Sequence, residues 1–407
     1  MYILLIFYNI LCFLLYIPMG FLGYVAAKVM KEDARYLQRM GLGMPRMREK
    51  KPTFWFHAAS VGEIRSLKMI LLFLKENYPD FGVVISAMTA SGCDMAKKEF
   101  SPDITLLLPI ENRIALKHAI KSYNTKVFFI TDTEIWPNLI TAASETVPLI
   151  LLNGRISYKT FKTYRRFRFI FAPLLRRFKY IIAKSGDDAN KFRKLAGDRA
   201  SVITGSNIKY RIDDISAVKS VPDFLSGKIA LAASTHPPEE EIFLRAASKC
   251  GFDRIVVAPR HIRRGEKIKK TAKKLGLITG LYSKGETGEK ILIADLYGIL
   301  EPLYQKAHKI FVGGSLADKG GHNIFEALQY KKPVAVGTHT ENFSDIIRLA
   351  EKHGLATLIH SEKELDEWLH APEDDKLVNF EQFFKELEET RKDFLKTLGR
   401  CITECIG

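Results

Sequence analysis

Twice along its length this chain alternates short, unbroken apolar runs with longer amphipathic stretches, and that pattern leaves few folds open to it. In the first round the runs are 53–58 (TFWFHA), 82–87 (GVVISA), 104–108 (ITLLL), 126–131 (KVFFIT), 147–152 (VPLILL) and 179–183 (KYIIA). In the second they are 228–233 (KIALAA), 253–258 (DRIVVA), 290–293 (KILI), 308–312 (HKIFV) and 333–336 (PVAV). Helix-like segments such as 64–77 and 113–122 lie between them. A strand that is apolar on both faces has to be covered on both, and helices between such strands make the sheet parallel. The expected fold class is therefore α/β: two Rossmann-like, doubly wound domains facing a cleft, with the site where strand C-termini meet it. The domains read as 52–212 and 225–385, joined by a polar linker at 213–224, with 386–407 a C-terminal helix able to pack back on the first domain.

Residues 1–27 constrain the chain differently. No charged side chain occurs from Met1 to Ala27, which exceeds the ~20 apolar residues a bilayer-spanning helix needs. A cleaved signal peptide would carry basic residues before its apolar core, whereas here the first one, Lys28, comes after it. Residues 28–51 then form a basic segment with Lys28, Lys31, Arg35, Arg39, Arg46, Arg48, Lys50 and Lys51. The expectation is an uncleaved membrane anchor with everything after it on the cytoplasmic side. The whole chain carries 62 Lys and Arg against 46 Asp and Glu, a net charge of +16. That excess calls for an anionic partner, and the anchor makes an anionic phospholipid surface the expected one. The cysteines, Cys12, Cys93, Cys250, Cys401 and Cys405, form no C-x-x-C pair, so neither a structural zinc site nor a disulfide framework is expected.

No G-x-G-x-x-G follows a strand and no G-x-x-x-x-G-K-[ST] occurs, so neither a dinucleotide fingerprint nor a P-loop is supported. Four polar clusters follow expected strands instead: STHPPEEE (234–241), APRHIRRGE (258–266), ADLYGILEPLY (294–304) and FVGGSLADKGGHNIFEAL (311–328). In the last, Gly313, Gly314 and Ser315, then Gly320 to Asn323, would let backbone approach a ligand and leave N–H groups free at the start of a helix over 323–329. That is an anion-binding arrangement. Glu326, one turn in, suits a ribose diol, and Arg260 offers a fixed cation for a phosphate. Tight turns and a surface arginine are the plainer readings of these residues. In the first half, HAASVGE (57–63) sets Glu63 at the mouth of a buried strand, with Gly62 permitting a sharp turn into a helix. A helix N-terminus lowers a carboxylate's pKa, so a basic Glu63 needs burial or a neighbour; a helix-terminal charge is its plainer reading. KTFKTYRRFRFIFAPLLRRFK (159–179) interleaves basic and aromatic residues, as a membrane-surface segment does. A solvated basic helix or a nucleic-acid surface are its other readings, and no nucleic-acid partner is expected. His57, His236, His261, His322 and His339 show no i,i+3 or i,i+4 pairing, and no metal site is expected.

Taken in order, HAASVGE (57–63), TDTEIWPNLI (131–140), NGRIS (153–157), GSNIKY (205–210), STHPPEE (234–240), APRH (258–261), FVGGSLADKGGHN (311–323) and THTENF (338–343) resemble the Kdo (3-deoxy-D-manno-octulosonic acid) transferases of lipopolysaccharide biosynthesis. The resemblance spans essentially the whole chain. It implies a membrane-anchored, inverting glycosyltransferase of the GT-B fold. Such an enzyme moves Kdo from CMP-Kdo to the lipid A precursor (lipid IVA) at the cytoplasmic side of the inner membrane, without cofactor or metal. It also implies roles: Glu63 as catalytic base, Glu134 and Lys209 stabilising transition-state charge, and Lys209 on the Kdo carboxylate or the phosphate. CMP would be met by Pro259, Arg260, Tyr297, Gly298, Ile299, Asn323, Ile324, Phe325 and Glu326. Three departures stand out. Asp132 replaces a glutamate, Ile299 stands where the family's nucleotide loop has an acid, and GGHNIFEA lacks two prolines. Backbone atoms of 297–299 would then serve in place of that acid. The competing readings are another membrane-associated GT-B enzyme using a UDP-sugar, and a non-catalytic, membrane-tethered module that binds anionic lipid or nucleic acid. A binding module has no use for an acid at 63 combined with a phosphate cradle at 313–323.

Overall fold

The computed structural model describes residues 35–197, 200–210, 225–372 and 376–407, together with eight scattered helical positions between Tyr8 and Val25. The linker read at 213–224 and most of the anchor read at 1–27 lie outside the described residues. Among the described residues, no helix is long and apolar enough to cross a membrane. Tyr8 donates a 2.8 Å hydrogen bond to Glu111 Oε2.

The chain divides into two compact units, one of Met1–Arg211 with Glu389–Gly407, the other of Ile212–Glu388. The first holds β1 (Thr53–His57), β2 (Gly82–Ala87), β3 (Ile104–Leu107), β4 (Thr125–Thr131), β5 (Leu149–Gly154), β6 (Tyr180–Ala183) and β7 (Val202–Thr204). All pairings are parallel, in the order β3-β2-β1-β4-β5-β6-β7. The second holds β8 (Ile229–Thr235), β9 (Arg254–Pro259), β10 (Thr279–Leu281), β11 (Ile291–Ile293), β12 (Lys309–Val312), β13 (Val334–Val336) and β14 (Ala356–Leu358). It is again parallel, in the order β10-β11-β9-β8-β12-β13-β14. In each sheet the order reverses beside the unit's first strand, between β1 and β4 and between β8 and β12. Such switch points open a crevice at the carboxyl ends of the strands.

Side-chain alternation explains why the strands read as unbroken apolar runs. Trp55, Phe128 and Ile130 enter the core on one face of the first sheet, while Phe54, Phe56 and Phe129 enter the core on the other. Each fully buried side chain of this size contributes about 1.5–3 kcal/mol, and all of these are below 1% exposed. The long helix Leu377–Ile406 begins in the second unit, and its later residues Phe394, Leu398, Cys401 and Ile402 enter the second of these cores.

Three strands were not expected: β7, β10 and β14. All are three residues long and lie at sheet edges. A strand that short gives no run to recognise. The helix expected over 64–77 is two helices, Val61–Ser66 and Lys68–Asn77.

Candidate functional site

In the first unit the polar groups gather at the carboxyl ends of β1, β4 and β5. Ser60 caps the helix Val61–Ser66, its Oγ accepting from Glu63 N at 3.3 Å. Glu63 answers, Oε1 accepting from Ser60 Oγ at 2.9 Å and Oε2 from Ala59 N at 2.8 Å. This is a close variant of the capping box, the S-x-x-E signature legible at 60–63. It corrects the turn expected at Gly62. The chain turns before Ser60, and Gly62 lies in the helix with open space where a Cβ would sit. The carboxylate is thus locked in one rotamer beside an uncrowded helix surface.

Burial and then the negative charge of Asp132 push the Glu63 pKa above the usual carboxylate range, while Ser60, Ala59 and Lys209 pull it down. A half-buried acid raised in this way suits proton abstraction near neutral pH. Asp132 is the residue that reading by sequence undervalued. It is 5% exposed and holds a left-handed φ of +58° at the end of β4. Its Oδ1 accepts from Asn153 Nδ2 at 2.6 Å and its Oδ2 from Lys209 Nζ at 2.7 Å. Asn153 also has a left-handed φ, +54°, and its Oδ1 accepts from Ile208 N at 3.3 Å. Ile208 is buried in the core, so Lys209 projects from an anchored turn. Non-glycine residues kept in this region cost about 1–3 kcal/mol each and collect at functional sites. Glu134 has other partners. Its Oε2 accepts from Trp136 Nε1 at 2.6 Å, and its charge, after burial, raises the phenol of Tyr164.

In the second unit, Arg260, His236, His261, His322 and Glu326 come together. Arg260 N donates to Thr235 O at 3.1 Å, which fixes the start of the APRH turn to the end of β8. His236 Nε2 lies 3.0 Å from His322 Nε2, and the His236 and His261 rings are 5.6 Å apart. Burial, then His236, Arg260 and His261, depress the His322 pKa to about 4; burial lowers that of His236 as well. Glu326 is exposed, yet protein groups gather around its carboxyl. That desolvation raises its pKa, against lowering by Asn323 and Arg260. Tyr297 is exposed, Gly298 has φ +81° with nothing near its Cβ position, and Ile299 is buried, so this loop offers mainly backbone.

Two expectations for this unit are corrected. The helix expected over 323–329 is the short Phe325–Leu328, and Asn323 Oδ1 already accepts from Phe325 N at 3.1 Å. Ile324 and Phe325 are buried as its anchors. The phosphate loop expected at 313–315 has its N–H groups already taken. Gly313 N bonds Ala233 O, and Gly314 N and Ser315 N donate to the buried Glu239 carboxylate at 2.7 and 2.9 Å. The nest exists, and the chain fills it with its own anion. Among the described residues no group of three or more His, Cys, Asp or Glu is arranged to hold a metal ion. Cavity size does not mark either cluster: a hollow of about 830 Å³ in the first unit is lined by Phe73, Tyr78, Lys396 and Arg400 instead.

The family described as 3-deoxy-D-manno-octulosonic-acid transferase (kdotransferase) matches residues 34–212. A 3-deoxy-D-manno-octulosonic acid transferase of Haemophilus influenzae is 26% identical over 344 residues, covering 81% of this chain and 81% of that protein. One from Aquifex aeolicus is 28% identical over 320 residues, covering 77% and 84%. Residues 34–212 thus match the Kdo transferase family, and proteins of that name align with most of the chain. A bifunctional glycosyltransferase/methyltransferase of Fusobacterium nucleatum is 28% identical over 352 residues, but the match covers 82% of this chain and only 54% of that protein. Solved structures agree in fold. UDP-GlcNAc 2-epimerase of Neisseria meningitidis superposes with a TM-score of 0.56 at 14% identity, over 87% of this chain and all of that one. Medicago truncatula UGT71G1 gives 0.52 at 10% identity, over 88% and 99%. The Kdo transferase motifs thus sit on a pair of Rossmann-like domains of the GT-B kind.

Proposed function

We propose that this protein is an inverting glycosyltransferase that moves Kdo from CMP-Kdo to the lipid A precursor, lipid IVA. The observation that carries the reading is the Glu63–Asp132–Lys209 cluster: a carboxylate with a raised pKa, rotamer-locked, beside an acid and an amine. In this reading Glu63 takes the proton from an acceptor hydroxyl as that oxygen bonds to the anomeric carbon of Kdo. The bond from that carbon to the phosphate oxygen breaks, and CMP leaves with the electron pair. Lys209, aligned by Asp132, meets the Kdo carboxylate or the phosphate, and Glu134 adds to the charge around the reacting sugar. Arg260 meets the phosphate of CMP, flanked by His236, His261 and His322, while Glu326 and Asn323 accept from and donate to the ribose. With Ile299 in place of an acid, the 297–299 backbone meets the base.

The acceptor's location follows from its chemistry, because a lipid must be taken at a bilayer. The helix Tyr158–Arg166 buries no residue, and Tyr158, Phe167 and Phe169 are 65%, 40% and 60% exposed. Lys162 lies over the Tyr158 ring at 4.5 Å and Arg166 over the Phe167 ring at 5.9 Å. Aromatic rings paired with cations suit an anionic phospholipid surface, and the apolar 1–27 segment would hold the protein at the cytoplasmic face of the inner membrane.

The test is incubation with CMP-Kdo and a tetra-acylated lipid A precursor, followed by mass spectrometry of the lipid. A product heavier by one or more Kdo residues is expected. An unchanged lipid, or transfer from a UDP-sugar with no shift in melting on adding CMP, refutes the reading.

A further inference from the structure

Glu239 is fully buried, at 0% exposure, and accepts five backbone N–H bonds. Its Oε1 takes Ser315 N, Leu316 N and Ala317 N at 2.9, 2.9 and 3.0 Å, and its Oε2 takes Gly314 N and His236 N at 2.7 and 2.8 Å. Converging N–H groups of this kind form the nests that bind phosphate in other proteins. Here the bound anion is a side chain from the first residue of the helix Glu239–Ala247, which follows β8, while four of the donors belong to the loop after β12. The carboxylate therefore clamps the carboxyl ends of two neighbouring strands to each other.

The clamp reaches the anion-facing side chains in short steps. His236 is the residue whose own N–H it holds. Gly314 O accepts from Gly321 N at 2.8 Å, and a Cβ on Gly314 would stand 2.7 Å from the His322 ring, so His322 is seated directly on the clamped loop. Thr235, whose carbonyl receives Arg260 N, is the residue before His236, and its Oγ1 donates to Glu240 at 3.2 Å. Gly313 tolerates no side chain, because a Cβ there would lie 2.6 Å from Glu239 Oε2 and 2.7 Å from Thr235 Cα. We infer that Glu239 is a positioning residue for the nucleotide-sugar donor: an internal anion that fills the nest and thereby sets Arg260, His236 and His322 as a preformed receptor for the donor's phosphate. This inference rests on the CMP-Kdo reading. It gives the glycine-rich loop a different task from the one its sequence suggests, since the loop shapes the receptor and the side chains meet the ligand.

Glu239→Gln is the test. The amide keeps one acceptor and turns an NH₂ group toward backbone donors, so part of the clamp is repelled. The full-length protein is compared with Glu239→Gln and with Leu365→Ala, a core truncation in the same unit that serves as a destabilised control. Melting temperature, CMP affinity by calorimetry, and donor KM and kcat are measured. Glu239→Gln is expected to weaken CMP binding at least tenfold and raise donor KM by a similar factor, with kcat at saturating donor within about threefold of wild type. Leu365→Ala is expected to lower the melting temperature and leave CMP affinity within twofold. If Glu239→Gln does not fold, Glu239→Asp, which keeps the charge but draws the carboxylate one methylene back from the five N–H donors, is read in the same way. CMP binding within twofold of wild type in the clamp variant overturns the role, as does an equal loss in Leu365→Ala. A wild-type protein that does not bind CMP overturns the functional reading and this role with it.

Discussion

His57 closes β1 at the start of the HAASVGE segment, and it is the best-defined acid-sensitive point in the first unit. Its ring is 0% exposed, with Nδ1 3.1 Å from Ser86 Oγ and Nε2 without a partner. Burial depresses its pKa from 6.5 to about 4. A depressed pKa means that the unfolded chain binds the proton first. The stabilisation is therefore fully present above pH 6.5 and is lost as pH falls toward 4. Integrated between those values, this one imidazole makes the fold about 2 kcal/mol less stable at pH 5 than at pH 7. The perturbation is His57→Gln, which removes the titration while keeping a polar side chain near Ser86. The assay is urea unfolding at pH 7, 6 and 5, followed by tryptophan fluorescence; Trp55 Nε1 donates to the same Ser86 Oγ at 2.9 Å, so its signal reports this corner of the sheet. The variant should be less stable than wild type at pH 7, and the gap should narrow by about 2 kcal/mol at pH 5. A gap that stays constant across the three pH values would refute the assignment of a neutral buried imidazole.

Glu63→Gln should lower kcat by about 10²–10⁴-fold while CMP affinity stays within twofold, measured by product formation and calorimetry. Because burial and Asp132 raise the Glu63 pKa, the acid limb of the kcat–pH profile should lie above the ordinary carboxylate range; in Asp132→Asn it should move to lower pH. A limb that does not move in that variant separates Asp132 from the base. Arg260→Ala should weaken CMP binding by about 1.5–3 kcal/mol, the worth of a charge-assisted hydrogen bond, with stability unchanged because the side chain is exposed.

The layered α/β fold was legible because fully buried strands have no polar positions to blur them. The runs at 82–87 and 104–108 became β2 and β3 almost residue for residue. Glu63 was legible as part of an ordered motif, and also as a helix-terminal charge; the structure shows the same side chain capping its helix. Asp132 and Glu239 were harder to read. Asp132 finds Lys209 across 77 positions of sequence, and nothing local marks that pairing. Glu239 sits in a run of three glutamates that looks like an acidic first turn, yet Glu239 is fully buried, Glu240 nearly so, and Glu241 pairs with Arg245 on the surface. Burial of that kind depends on where β12 lies, and local composition does not contain it. The glycines at 313–314 were read as a loop for a ligand's phosphate, and the partner that Gly314 N takes instead, Glu239, came only from the three-dimensional arrangement.

The first unit is not a continuous length of polypeptide, and this bears on its synthesis. Phe394, Leu398, Cys401 and Ile402, at 3%, 0%, 4% and 0% exposure, complete the core behind Phe54, Phe56 and Phe129. A nascent chain that has delivered all seven strands of that sheet still lacks these side chains while the second unit is being translated. The apolar face they cover stays open until those residues leave the ribosome, so a stop codon shortly after 388 would strip the first unit of part of its interior while sparing the strands of the second.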